Sequence, residues 1–137
     1  MCGILGSYST KFHFKEEHLN IISHRGPDDK GYFFENNVML GHRRLSIVDL
    51  SANGHQPMST NDNRYTIIFN GEIYNHLELR NQLIDLGFNF KSTSDTETLL
   101  YGYVKWGVEV LNKLNGIFAF AIYDNIDSKL FIARDQF

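Results

Sequence analysis

Cys2 is the only cysteine in the chain, and it stands directly behind Met1, followed by Gly3-Ile4-Leu5-Gly6. Removal of Met1 leaves a thiol and a free α-amine on one residue. A thiolate is a strong nucleophile, and an ordinary thiol, titrating near ~8.5, needs a base to reach that form. An α-amine titrates near ~7.7–8.0, so part of it is a free base at neutral pH. Nucleophile and base are then pre-assembled, as in the threonine/N-terminal-amine pairing. Position alone allows a small buried thiol just as well.

Other groups suit the same chemistry. In Ile67-Ile68-Phe69-Asn70-Gly71-Glu72-Ile73-Tyr74 an Asn-Gly pair follows a strand-like run. By itself that pair favours a two-residue hairpin turn. The alternative is an oxyanion hole, in which the Asn70 amide and the Gly71 N–H converge on one point; each such donor contributes roughly 10²–10³ in rate. Arg43 and Arg44 end another apolar run. A guanidinium matches a carboxylate through two parallel hydrogen bonds, and the other reading is a pair of solvated charges. Asp95 lies in Ser94-Asp95-Thr96-Glu97, where an acid complements a helix N-terminus or grips a substrate ammonium. Glu72 offers the same choice between a strand-end charge and a substrate contact. His24, His42 and His55 show no metal-ligand spacing and read as structural or surface residues, so no metal site is predicted. There is no Gly-rich phosphate loop. The inventory suits hydrolysis of an amide on an amino acid.

A scaffold must bring these groups together. Gly3–Tyr8 reads as a short buried strand, and Lys15–Ile22 has Leu19 and Ile22 at helical spacing. Ser23–Lys30 is a polar loop broken by Gly26-Pro27. Gly31–Phe34 and Val38–Arg43 read as strands joined by a turn at Glu35-Asn36-Asn37. Leu45–Leu50 is short and apolar, with a long loop to Asn63, and Tyr65–Phe69 is a strand. Asn75 is placed to cap a helix over His76–Leu86, with Leu79, Leu83 and Leu86 on one face and Gly87 as its stop. Ser94–Glu97 has the form of a capping box, opening a helix through Trp106 with Leu99, Leu100 and Tyr103 inward and Gly107 at its end. A short helix near Val108–Leu114 precedes two strands, Ile117–Tyr123 and Lys129–Ala133. Hairpin strands flanking a helix pair predict an α+β fold with antiparallel sheet.

The bulk properties set limits. The chain has 137 residues and is 42% apolar, enough for one domain with a core. A net charge of -3 argues against a general nucleic-acid binder. A single cysteine suits a reducing compartment. No apolar run approaches the ~20 residues a membrane span needs. The expectation is a cytoplasmic domain with neither nucleic-acid nor membrane partners. The ending Ala133-Arg134-Asp135-Gln136-Phe137 directly follows a strand-like run, which predicts a domain incomplete at its C-terminus.

Several motifs recur together in one order: Cys2-Gly3-Ile4, His24-Arg25-Gly26-Pro27-Asp28, Arg44-Leu45-Ser46-Ile47-Val48-Asp49, Gln56-Pro57-Met58, Asn70-Gly71-Glu72-Ile73-Tyr74-Asn75, Ser94-Asp95-Thr96-Glu97 and Ala133-Arg134-Asp135. From Met1 to Phe137 the chain resembles the glutaminase domain of class II glutamine amidotransferases, and within that class the glutamine-hydrolysing asparagine synthetases. The resemblance implies an N-terminal-nucleophile hydrolase fold, with two stacked antiparallel sheets between helical layers. It implies that Cys2 attacks the glutamine side-chain amide through a thioester, with Asn70 and Gly71 as the oxyanion hole. Arg44 would hold the α-carboxylate, backbone around Ile47 and Val48 would line the pocket, and Glu72 with Asp95 would hold the α-ammonium. Both the choice of Arg44 over Arg43 and glutamine as substrate come from the resemblance. So does a C-terminal synthetase domain as partner. ATP and magnesium would belong to that domain, with no cofactor for residues 1–137, and homodimerisation is left open. The family's Ser-Gly-Gly-x-Asp-Ser loop is absent, and Gln136 stands where the family usually has arginine. Alternative acceptors of the ammonia are another small-molecule carboxylate or a polysaccharide. A non-enzymatic alternative is a docking module that retains Met1.

Overall fold

Apolar runs rich in β-branched and aromatic residues build two antiparallel sheets, and the computed structural model describes every residue from Met1 to Phe137. Strands β1 (Gly3–Tyr8), β2 (Asp29–Glu35) and β3 (Val38–Arg44) form the first, in the order β1-β3-β2. Strands β4 (Met58–Ser59), β5 (Tyr65–Ile73), β6 (Gly116–Asp124) and β7 (Lys129–Arg134) form the second, in chain order. Helices α1 (His76–Asp85) and α2 (Asp95–Trp106) lie between β5 and β6 in sequence. Glu16–Arg25, Ala52–Gly54 and Gly107–Lys113 are 3₁₀ segments.

One face of β3 carries Val38 and Leu40, which pack against Ile68, Ala121 and Tyr123 between the sheets. The opposite face of β5, through Ile67, Phe69 and Ile73, packs with Leu79 of α1 and Leu99 and Leu100 of α2. On the far side, Leu19 fits over Gly41 of β3, where an added Cβ would lie 2.6 Å from its Cδ2. Helical segments therefore cover both outer faces of the stacked sheets, as the sequence reading expects. No helix is long and apolar enough to cross a membrane.

Several local expectations are corrected. Asn70-Gly71 is no turn: β5 runs on to Ile73, with Asn70 opposite Ala119 and Gly71 opposite Phe118. The hairpin preference of Asn-Gly yields to pairing with a distant strand, whereas Asn36 and Asn37 do form a tight turn with φ of 47° and 68°. Asn75 occupies the N-cap of α1 without capping it; its side chain bonds Lys113 O and Asn115 N–H instead. Leu86 is 51% exposed, beyond the packed face of α1. Only half of the capping box forms. Ser94 Oγ accepts from Glu97 N–H at 3.3 Å, but the Glu97 carboxylate turns to the N–H groups of Lys91 and Ser92. Ser23–Arg25 is helical and Asp29-Lys30 is strand, so the polar loop is shorter than expected.

His42 is fully buried between the sheets, and its Nε2 lies 3.2 Å from Phe69 O. A carbonyl only accepts, so Nε2 carries the proton. Burial drives the His42 pKa down from 6.5 to about 4, opposed by that hydrogen bond and by Asp29. The unfolded chain therefore binds a proton that the folded chain refuses between these values. Stability is complete above pH 6.5 and falls as pH drops toward 4, by up to about 3 kcal/mol. Thermal melts across this range should show the slope, and His42→Gln, which keeps a donor but does not titrate, should flatten it.

Candidate active site

The exposed edge of β5 sets the geometry. In an antiparallel strand, alternate residues turn their N–H and C=O toward opposite neighbours. Beyond the short β4, the odd residues Phe69, Gly71 and Ile73 face away from β6. Phe69 N–H donates to Gln56 Oε1 at 2.7 Å, and Ile73 N–H donates to Asp95 Oδ2 at 3.0 Å. Phe118, opposite Gly71, exchanges its own hydrogen bonds with Asp135 on the β7 side. The Gly71 N–H is thus left outside the ladder, in the wall of a cavity of ≈ 140 Å³. A Cβ at Gly71 would meet the Ile117 carbonyl and lie 2.7 Å from Phe118 Cα, so only glycine fits this close approach.

Cys2 lines the same cavity. Leu45 N–H donates to its sulfur at 3.3 Å, and Arg25 Nε donates to its carbonyl at 3.4 Å. These bonds place the sulfur where β3 ends and the Arg44 loop begins. Asn70 shares the sandwich-facing side of β5 with Ile68. It lines an adjoining cavity together with Gly71 and Met1, and its Oδ1 is buried without a partner. Met1 lines both cavities, so the chain's N-terminus lies at the site.

Arg44 is buried, on the face of β3 that also carries Leu40 and His42. Its guanidinium donates to Ser51 O at 2.8 Å and to Asp49 O, and it lines the cavity. Arg43, one residue earlier, falls on the other face, so register separates the two arginines. Exposed Ile47 and Val48 line the cavity together with Glu72 and the buried Asp95. Burial pushes the Asp95 carboxyl above its ordinary pKa, while the Ile73 N–H pulls it back. A buried carboxylate of this kind gains most from a cationic partner.

The cavity therefore brings together Cys2, Arg44, Ile47, Val48, Gly71, Glu72 and Asp95, with Asn70 next door. No three His, Cys, Asp or Glu side chains cluster to hold a metal ion.

Sequence reading gave no role to Asp49 or Gln56, which also line the cavity. Asp49 Oδ1 accepts from the Ser51 N–H and hydroxyl, and Oδ2 accepts from Thr93 N–H at 2.9 Å. The Ser51 hydroxyl, above all, holds the Asp49 pKa down at about 2. Asp49 thus ties the Arg44 loop to the start of α2. Asp49→Ala removes three charge-assisted bonds. A loss of about 1.5 kcal/mol in ligand binding is expected, which is roughly a tenfold rise in KM with little change in kcat. Steady-state kinetics of the variant against the parent measures it. The available signal was the acid's place just after the apolar run that follows Arg44.

Residues 1–137 match the family described as glutamine amidotransferase domain. Asparagine synthetase (glutamine-hydrolyzing) 1 of Bacillus subtilis (strain 168) is 46% identical over 145 residues, covering 100% of this chain and 23% of the relative. Asparagine synthetase B (glutamine-hydrolyzing) of Escherichia coli (strain K12) is 40% identical over 142 residues, covering 99% of this chain and 25% of the relative. The chain spans about a quarter of the length of the curated relatives it matches. Among solved structures, glutamine phosphoribosylpyrophosphate amidotransferase from B. subtilis superposes with a TM-score of 0.61 at 25% identity, covering 74% of this chain and 24% of that one.

Proposed function

The chain belongs to the glutamine amidotransferase domain family, and we propose that its cavity hydrolyses glutamine to glutamate and ammonia through Cys2. The observation that carries this reading is the Gly71 N–H, left without a strand partner in the cavity that Cys2 lines. After Met1 is removed, the Cys2 α-amine takes the thiol proton. The sulfur attacks the side-chain amide carbon, and the oxyanion is held by the Gly71 N–H and the Asn70 amide. Collapse breaks the C–N bond, the α-ammonium returns its proton to the leaving nitrogen, and ammonia departs. Water, deprotonated by the same amine, then cleaves the thioester to release glutamate. Arg44 holds the α-carboxylate beside Ile47 and Val48, and Asp95 with Glu72 holds the α-ammonium.

In this reading the ammonia serves ATP-dependent asparagine synthesis in a synthetase domain beyond these residues, and ATP and magnesium bind there. The names of the relatives, which pair glutamine hydrolysis with asparagine synthesis, support that extension. A cytoplasmic location fits a chemistry that needs a reduced thiol. The direct test incubates the chain, processed to begin at Cys2, with glutamine and measures glutamate. Release that saturates with glutamine supports the proposal, and its absence from folded, processed protein defeats it.

A further inference from the structure

We propose that His42 and Gln56 are positioning residues for the oxyanion hole, standing in for the strand that is missing beside Phe69. The inference rests on the glutamine-hydrolysis reading and deepens it. Register β4–β5 pairs Met58 with Ile67, so a continued ladder would set Gln56 opposite Phe69. The ladder does not continue. Gln56 turns its carbonyl against β2, where Gly31 has no side chain and an added Cβ would lie 2.7 Å from Pro57 Cδ. The Gln56 side chain supplies the lost pairing instead, accepting from Phe69 N–H at 2.7 Å while its Nε2 donates to Thr96 Oγ1 at 3.1 Å. His42 completes the set by donating to Phe69 O at 3.2 Å. Both peptide groups that Phe69 presents on this edge are thus held by buried side chains from elsewhere in the fold.

The arrangement bears on chemistry because of what flanks Phe69. The next two residues are Asn70 and Gly71. His42 pairs with Ile4, two residues from Cys2, and lies two residues before Arg44 on the same face of β3. It therefore links the strand carrying the oxyanion donors to the strands carrying the nucleophile and the carboxylate clamp. Gln56 fixes the same point to α2 beside Asp95. A donor displaced by about 1 Å loses on the order of 10²-fold in rate, so holding this peptide rigid matters for turnover more than for binding.

The test uses processed chain carrying His42→Leu, His42→Gln, Gln56→Leu, and the two leucine variants combined with Asn70→Ala. Leucine fills space without bonding, whereas glutamine restores a donor at position 42. Folding is checked by thermal melt. The expected result is a kcat loss of roughly tenfold or more for each leucine variant, with KM within about twofold and His42→Gln near the parent. Cys2 alkylation by iodoacetamide, which needs no oxyanion hole, should stay within about twofold of the parent. With Asn70→Ala already present, each leucine change should cost less than about a third as much, because coupled groups are not additive. Should His42→Leu fail to fold, Gln56→Leu carries the same test. Full kcat in a folded leucine variant, undiminished losses on top of Asn70→Ala, or alkylation falling in step with kcat would each overturn the inference. A parent chain that releases no glutamate overturns the underlying function reading instead.

Discussion

Replacing Cys2 by serine in the processed chain should lower glutamine hydrolysis by on the order of 10⁴–10⁶ while leaving the fold intact. The size follows from chemistry. A hydroxyl is a far weaker acid than a thiol, so the α-amine of a site built around sulfur leaves far less of the oxygen in its nucleophilic form near neutral pH. The fold should tolerate the exchange, because Cys2 is only half-buried and its sulfur makes contacts to Leu45 that a hydroxyl can repeat. Matched melting curves with glutamate assayed beside them check both halves. A serine variant turning over within tenfold of the parent would remove Cys2 from the mechanism. Retained Met1 should act in the same direction, because a peptide bond takes away the amine's basicity and leaves the thiol without its built-in base. Mass spectrometry of the N-terminus, set against activity, separates processed from unprocessed chains.

Asn70→Ala should cost roughly 10²–10³ in kcat with little change in KM, since an oxyanion donor acts in the transition state and not on bound glutamine. In the proposed reading Arg44 and Asp95 still hold the substrate. The buried Asn70 Oδ1 has no partner to lose, and β5 stays paired to β6 at this position through backbone alone. Stability should therefore change by less than activity does. A large KM increase with kcat preserved would reassign Asn70 to ground-state binding.

Much of this protein was legible in one dimension. Val38–Arg43 and the β-branched, aromatic run Tyr65–Phe69 read as strands because such side chains suit a pleated, buried surface. Gly107, at φ of 58°, and Gly87, at φ of 93°, end their helices as their lack of a Cβ predicts. In the sequence the choice of Arg44 over Arg43 comes from the family resemblance; the register of β3 then sets them apart, since only Arg44 shares a face with Val38, Leu40 and His42. The candidate site was nominated from residue types and the motif order they share with a family.

What the tertiary structure decided were the outcomes that depend on a distant partner. Asn70-Gly71 carries a local preference for a turn, yet nine residues of β6 pair with the whole of β5 and hold it extended. Asn75 and Glu97 have side chains suited to local capping, but the fold brings them other partners: Asn75 takes the Asn115 N–H, and Glu97 takes the Lys91 N–H and the buried Ser92 N–H. His42 and Gln56 read as unremarkable until folding set them beside Phe69, and the Gly71 N–H is free because β4 ends before it along that edge. Sequence determines which groups are available and their local period. Which hydrogen bond each one makes is settled when chain segments far apart are buried together, because an unpaired polar group costs most there.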